Sequence, residues 1–140
     1  MGYGDKEIIA ELPSRIASSK ILFVGLRNWE RKEIIVRQKQ YGIPHLAPKD
    51  VAQNSDAVKC WLKTCGASKV LIHFDMDVLD PSEIVAAVGT DPEGMKMEEV
   101  IRVINDIAVE KEIVGLTIAE PMPRTAIRIK DMLNRLPLLK

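Results

Sequence analysis

Aromatic residues make up only 4% of this chain, and no basic stripe is interleaved with them. That excludes the stacking platforms and cationic grooves of single-stranded nucleic-acid binders. Neither sign of charge is in excess. Twenty Lys and Arg face 20 Asp and Glu, for a formal net charge of zero. Bulk attraction to nucleic acid or to an anionic membrane surface is thereby excluded. Long apolar runs are missing as well: ILFVGL, residues 21–26, is far too short to span a bilayer. The opening MGYGDKEI has no apolar segment of the signal-peptide kind. These absences predict a soluble, cytoplasmic protein with no nucleic-acid and no membrane partner. Cysteine is scarce too. Cys60 and Cys65 fall on different faces of a predicted helix, which suits neither a disulfide nor a metal pair. Both are predicted to be small buried hydrophobes in a reducing compartment.

What the chain does have is ordinary globular material: 140 residues, 46% hydrophobic and 29% charged. That is enough for one domain, residues 1–140, with a real core. Apolar runs alternate with amphipathic stretches. Strands are predicted at 21–25, 43–46, 70–74 and 113–119. Pro44 confines the second to a sheet edge, because proline cannot donate to a ladder. A short helix is predicted at 6–12, after Asp5. Asn28 is the predicted cap of a helix reaching Tyr41, with Gly42 as its stop. Ser55 is the predicted cap of a helix ending at Gly66. A helix at 96–110 carries Met97, Val100, Ile101, Ile104 and Ile107 on one face. A last helix, 124–135, should dock through Ile127, Met132, Leu133 and Leu136. Strands apolar on both faces and joined by helices predict an α/β fold: a three-layer, doubly wound, mostly parallel sheet of about four strands.

One stretch breaks the pattern. HFDMDVLDP, residues 73–81, places Asp75, Asp77 and Asp80 at the end of an apolar strand. Extended geometry would put Leu71, His73, Asp75 and Asp77 on one face. In open α/β sheets ligands bind at the carboxyl ends of strands. Two carboxylates held close repel one another, and a hard divalent cation is the usual compensation. A solvated turn explains the same residues without a ligand, and Asp80-Pro81 is an ordinary turn starter. Asp80 is assigned to that turn. His73 reads first as a hydrogen-bonded core histidine and second as a ligand. Glu120, just past the last strand, reads as a solvated carboxylate when taken alone. Arg27 reads as a loop-positioning residue.

Phe74-Asp75-Met76-Asp77-Val78-Leu79-Asp80-Pro81 resembles the metal-binding motif Ser-Phe-Asp-x-Asp-x-x-Asp-Pro of the arginase family, the ureohydrolases that include arginase, agmatinase and formimidoylglutamase. Val24-Gly25-Leu26-Arg27-Asn28 resembles that family's Ile-Gly-Leu-Arg-Asp. Gly115-Leu116-Thr117-Ile118-Ala119-Glu120 resembles its Gly-Leu-Asp-Ile-x-Glu. The resemblance runs almost end to end but covers only the family's C-terminal half. The Gly-Gly-Asp-His and Asp-Ala-His-x-Asp segments, which supply four of six ligands to a two-manganese centre, are not found. The opening Met1-Gly2-Tyr3-Gly4 is similar to the stretch after the family's His-Gly-Met-Pro loop, as if the chain were a fragment begun at an internal methionine.

The resemblance implies specific roles. Asp75 would bridge two manganese ions, Asp77 would bind one, and His73 stands as a third candidate. Glu120 would hold a small guanidino substrate through a charge-assisted pair. The metals would acidify a bridging water, whose hydroxide would attack the guanidinium carbon and release urea. His73 stands where the family has serine, and Thr117 where it has aspartate. Of the family's Gly-Thr-Gly-Thr-Pro…Gly-Gly pattern, residues 83–95 keep Gly89-Thr90 and Gly94. With most ligands absent, the expectation is an inactive piece of a hydrolase of guanidinium or amidine C–N bonds, holding at most one manganese ion weakly. Its implied partners are an N-terminal-half fragment or further copies of itself. The family's strand order, 2-1-3-8-7-4-5-6, implies four strands in local order 2-1-3-4, with the first and third pairing directly across the place of the missing strand. The alternative is a non-catalytic doubly wound binding or interaction module. A phospho-receiver, its sharpest version, wants acidic residues ending the first strand, where this chain has Val24-Gly25-Leu26-Arg27.

Overall fold

Local end signals account for most of the elements. In this computed structural model residues 1–27, 32–87, 89, 91–122 and 126–139 are described, and for 126–128 the backbone alone. Helix α1 (Lys6–Glu11) begins where the Asp5 carboxylate accepts the N–H groups of Glu7 and Ile8. Strand β1 is only Phe23–Val24, shorter than the apolar run around it. Helix α2 (Lys32–Tyr41) stops at Gly42, whose φ of 64° suits a residue without a Cβ. The predicted cap Asn28 lies outside the described residues. Strand β2 (His45–Leu46) follows Pro44 at a sheet edge, as predicted. A short helix, α3 (Pro48–Val51), opens on a proline.

Helix α4 (Asp56–Thr64) starts after Ser55, but the side-chain cap comes from Asn54, whose Oδ1 accepts the Asp56 N–H at 2.9 Å. Ser55 is instead turned inward and buried. Val58 and Leu62 are the buried face of α4, which leaves Cys60 exposed, contrary to expectation, while Cys65 is buried. Both thiols are free. Strand β3 (Lys69–Asp75), helix α5 (Met97–Glu110), strand β4 (Glu112–Ala119) and helix α6 (Ala126–Leu133) complete the chain. No helix among the described residues is long and apolar enough to cross a membrane.

The strands form two parallel pairs. In one, Phe23 lies opposite His45 and Val24 opposite Leu46. In the other the register runs from Lys69 opposite Glu112 to Asp75 opposite Ala119, with a bulge between Val70 and Leu71. The neighbours 2-1 and 3-4 are those expected. The direct pairing of the first strand with the third is not formed: no ladder joins β1 to β3. They are bridged by long side chains instead. At one end the Lys20 ammonium donates to the Cys65 carbonyl, and at the other the Arg27 guanidinium donates to the Asp77 carbonyl at 2.8 Å. β1 and β3 therefore run the same way. Right-handed crossovers put α2 and α5 on opposite faces, which makes the fold doubly wound.

One cluster forms the core. Val51, Val58, Leu62, Phe74, Met76, Ile101, Ile104, Met132 and Leu136 all belong to it. Leu133 packs at its margin, and the predicted contact of Ile127 lies outside the described side chains. The helices α3 to α6 thus share the face of β3 that carries Phe74. The other face of β3, with Leu71 and His73, is exposed.

Candidate metal and substrate site

The polar site gathers where β3 ends. Phe74 and Met76 both point into the core, and Met76 is 1% exposed. The strand does not continue through Asp77, however. Residues Met76–Val78 close into one 3-10 turn. The Asp75 carboxylate caps it, accepting the Asp77 N–H at 3.3 Å. Asp75 and Asp77 are therefore not one pleat apart on an extended face. They are the cap and the second residue of a turn, because satisfying the backbone N–H that leaves the ladder takes precedence over extension. Both are half-buried. Gly89 lies beside them: a Cβ placed on it would sit 3.5 Å from the Asp77 Cβ.

His73 is not the core histidine expected: the alternation of β3 gives the core side to Phe74, and His73 points to the open face. Its Nδ1 is 2.7 Å from the Thr117 hydroxyl, directly across the ladder. The two positions that depart from the family pattern are thus hydrogen-bonded to each other. Asp80 lies in the turn, as expected. Its carboxylate accepts the Ser82 N–H at 2.8 Å, the Ser82 hydroxyl, and the Gly94 N–H at 3.0 Å. The Ser82 hydroxyl, followed by these amides, holds the Asp80 carboxyl below its ordinary range.

Arg27 does more than its sequence position suggests. It is 7% exposed, and one guanidinium nitrogen donates to the carbonyls of Asp77 at 2.8 Å, Asp91 at 3.1 Å and Leu79 at 3.4 Å. Among the described residues no carboxylate lies within ion-pair distance of it. It clamps the end of β1, the aspartate turn and the 91–95 segment together. Gly94 completes the clamp, since a Cβ there would meet Arg27 and the backbone of Leu79 and Asp80, each at 2.6 Å. An arginine directly after an apolar strand was the available signal, but its three carbonyl partners are distant in sequence.

Glu120 follows Ala119, the partner of Asp75, so it sits beside the aspartate turn. It is exposed and makes no hydrogen bond or ion pair with a described residue. Its φ is 56°, a left-handed conformation that costs a side-chain-bearing residue about 1 kcal/mol. Glu120→Gly is expected to raise the unfolding free energy by about 1 kcal/mol in a denaturant titration. A variant less stable than the parent would show that the Glu120 side chain supports the fold.

Among the described residues no three His, Cys, Asp or Glu side chains converge on a metal position. A concavity of about 560 Å³ lies between α6 and the segment after β4, lined by Pro121, Met122, Ile129, Lys130 and Leu133 among others, and it includes neither Asp75 nor Asp77.

Two parallel strand pairs joined by helices, with acidic side chains at the carboxyl ends of β3 and β4, define an α/β protein. The chain belongs to the Arginase family, whose model matches residues 8–133. It is 26% identical over 123 residues to an arginase of Eremothecium gossypii, covering 84% of this chain and 31% of that one. Its fold is similar to that of Entamoeba histolytica arginase solved in complex with L-ornithine, with a TM-score of 0.81 at 20% identity, over 96% of this chain and 48% of that chain. It is also similar to formimidoylglutamase of Bacillus subtilis, with a TM-score of 0.70 at 20% identity, over 85% and 37%. The chain thus spans between about a third and a half of the length of these relatives.

Proposed function

We propose that this chain carries part of the catalytic centre of a manganese-dependent hydrolase that cleaves guanidinium or amidine C–N bonds and releases urea. In this reading Asp75 and Asp77 are manganese donors, and Glu120 anchors the guanidinium of an arginine- or agmatine-like substrate. The supporting observation is the pairing of Asp75 with Ala119, which brings both aspartates and Glu120 to one end of the sheet in a chain of this family. Two carboxylates do not fit a two-ion centre, in which each ion wants about six ligands in the octahedral limit. His73 is engaged by Thr117 and adds no third convergent donor. The donors among the described residues are therefore too few to fix a manganese centre in this chain by itself. One weakly held ion is the most that it should bind.

Paramagnetic broadening by Mn²⁺ tests the donor assignment. The amides of residues 75–79 should broaden on addition of the ion, and Asp75→Ala should abolish the effect while the spectrum stays folded. Broadening centred elsewhere, or unchanged in Asp75→Ala, would refute the assignment and favour a non-catalytic binding module.

A further inference from the structure

Gln38 is the buried residue of α2, 7% exposed, and its side-chain nitrogen serves two neighbours. Nε2 donates to the Ile43 carbonyl at 3.0 Å and lies 2.8 Å from Nδ1 of His45. A carbonyl oxygen only accepts, so Ile43 decides which end of the amide faces it. The nitrogen must do so, and its second hydrogen then meets the imidazole. Nδ1 of His45 is therefore an acceptor, and the neutral ring carries its proton on Nε2. His45 belongs to β2, a two-residue edge strand. The Phe23 N–H donates to the Pro44 carbonyl at 3.1 Å and the Gly25 N–H to the Leu46 carbonyl at 2.8 Å, which ties β2 to β1. Gly25 in turn packs on Val78 of the aspartate turn.

We propose that His45 and Gln38 form a proton-sensitive latch on β2, which sets how firmly β1 is held beside the aspartate turn. Histidine is the side chain whose charge ordinarily changes between about pH 5 and 8. A second proton on the ring turns Nδ1 into a donor, and two donors then meet across 2.8 Å. Neither way out is neutral. If the ring swings into solvent, one N–H of the buried amide loses its partner. If the amide reverses to accept from Nδ1–H, its oxygen confronts the Ile43 carbonyl, acceptor against acceptor. Either change loosens the turn that delivers β2 to β1. Among the described residues His45 is in no ion pair that would offset this. On α2 the charged groups flanking Gln38 are the cations Arg37 and Lys39, and Tyr41 is stacked on Tyr3. On α3, Lys49 is a further cation, and the Asp50 carboxylate is taken by the Ala47 N–H at 2.8 Å. On β1 the residue opposite is the uncharged Phe23. A strand this short has few other attachments, so its opening stays local. The effect reaches the site through Gly25, whose N–H loses the Leu46 carbonyl, and through Arg27 two residues on, which clamps the aspartate turn.

The experiment uses the intact chain without metal, so its outcome is separate from the assignment of Asp75, Asp77 and Glu120. Proton–nitrogen correlation of the imidazole rings at neutral pH reads the tautomer, and His45→Phe tells the chain's two histidines apart. His45 should carry its proton on Nε2. Amide hydrogen exchange, with intrinsic rates divided out, reads the latch. Between about pH 7.5 and pH 5.5, protection of Phe23, Gly25 and Ile43 should fall roughly 10-fold relative to α5. His45→Phe should make that protection independent of pH. Gln38→Glu should reverse the trend, because a carboxylate accepts from the protonated ring and protection then rises as pH falls. His45 is exposed, so His45→Phe should fold even where Gln38→Glu does not. Three results would overturn the proposal: a neutral His45 ring with its proton on Nδ1; protection in the parent chain that does not change with pH; or the same pH dependence in His45→Phe, which would assign the effect to another group.

Discussion

No urea is expected from arginine or agmatine when this chain is incubated alone with manganese. A manganese-activated hydroxide needs an ion fixed by several protein donors, and hydrolysis at a guanidinium carbon draws on Lewis-acid stabilisation as the carbon becomes tetrahedral. The described residues offer Asp75 and Asp77 at the turn after β3 and no third convergent donor. The four further ligands implied by the family resemblance lie in segments that this sequence does not contain. Substrate would also be poorly held. Glu120 is exposed on an open surface, where solvent weakens a charge-assisted pair. Colorimetric urea detection at saturating manganese, with Asp75→Ala and Glu120→Ala as controls, should therefore read the same for all three proteins. Turnover by the parent chain that Asp75→Ala abolishes would show that this half-site suffices for catalysis.

Gly25→Ala should be the most damaging of the small substitutions, costing about 2–4 kcal/mol of unfolding free energy. Two effects add. Gly25 has φ of 87°, where an L side chain is strained. A Cβ there would also sit 2.2 Å from Val78 Cγ2 and 3.0 Å from Met95 Sδ, so the turn that carries Asp77 must move. Gly42 separates the two effects. Its φ is 64°, but a Cβ on it would meet nothing within 4 Å. Gly42→Ala should therefore cost only about 1 kcal/mol, the conformational part alone. Chemical denaturation of both variants measures the difference. Equal losses would show that the contact of Gly25 with Val78 relaxes without cost. Because Arg27 clamps the same turn, Gly25→Ala should also weaken any manganese-induced broadening at residues 75–79.

The family, the longer strands and helices and the turn at Asp80 were legible in the sequence because each is written locally, whereas the short helix α3 and the turn Met76–Val78 were not expected. Phe74 to Pro81 is a contiguous motif, Asp5 and Gly42 mark helix ends by their own chemistry, and α5 shows its buried stripe at helical spacing. Asp80 was assigned to the turn on the strength of Asp-Pro, and its carboxylate does hold the Ser82 and Gly94 amides. Tertiary structure decided the rest. Asp75 and Asp77 separate into cap and turn because the amide leaving the ladder needs an acceptor. Cys60 faces solvent because Val58 and Leu62 took the core side of α4. Arg27 became a clamp through carbonyls 50 to 64 residues away, a separation no local pattern encodes. The gap between β1 and β3 was likewise not readable from either strand. Each has the apolar composition of an inner strand, but whether two such strands meet depends on the loops, turns and side chains that set their separation, and these keep β1 and β3 beyond the reach of a backbone hydrogen bond.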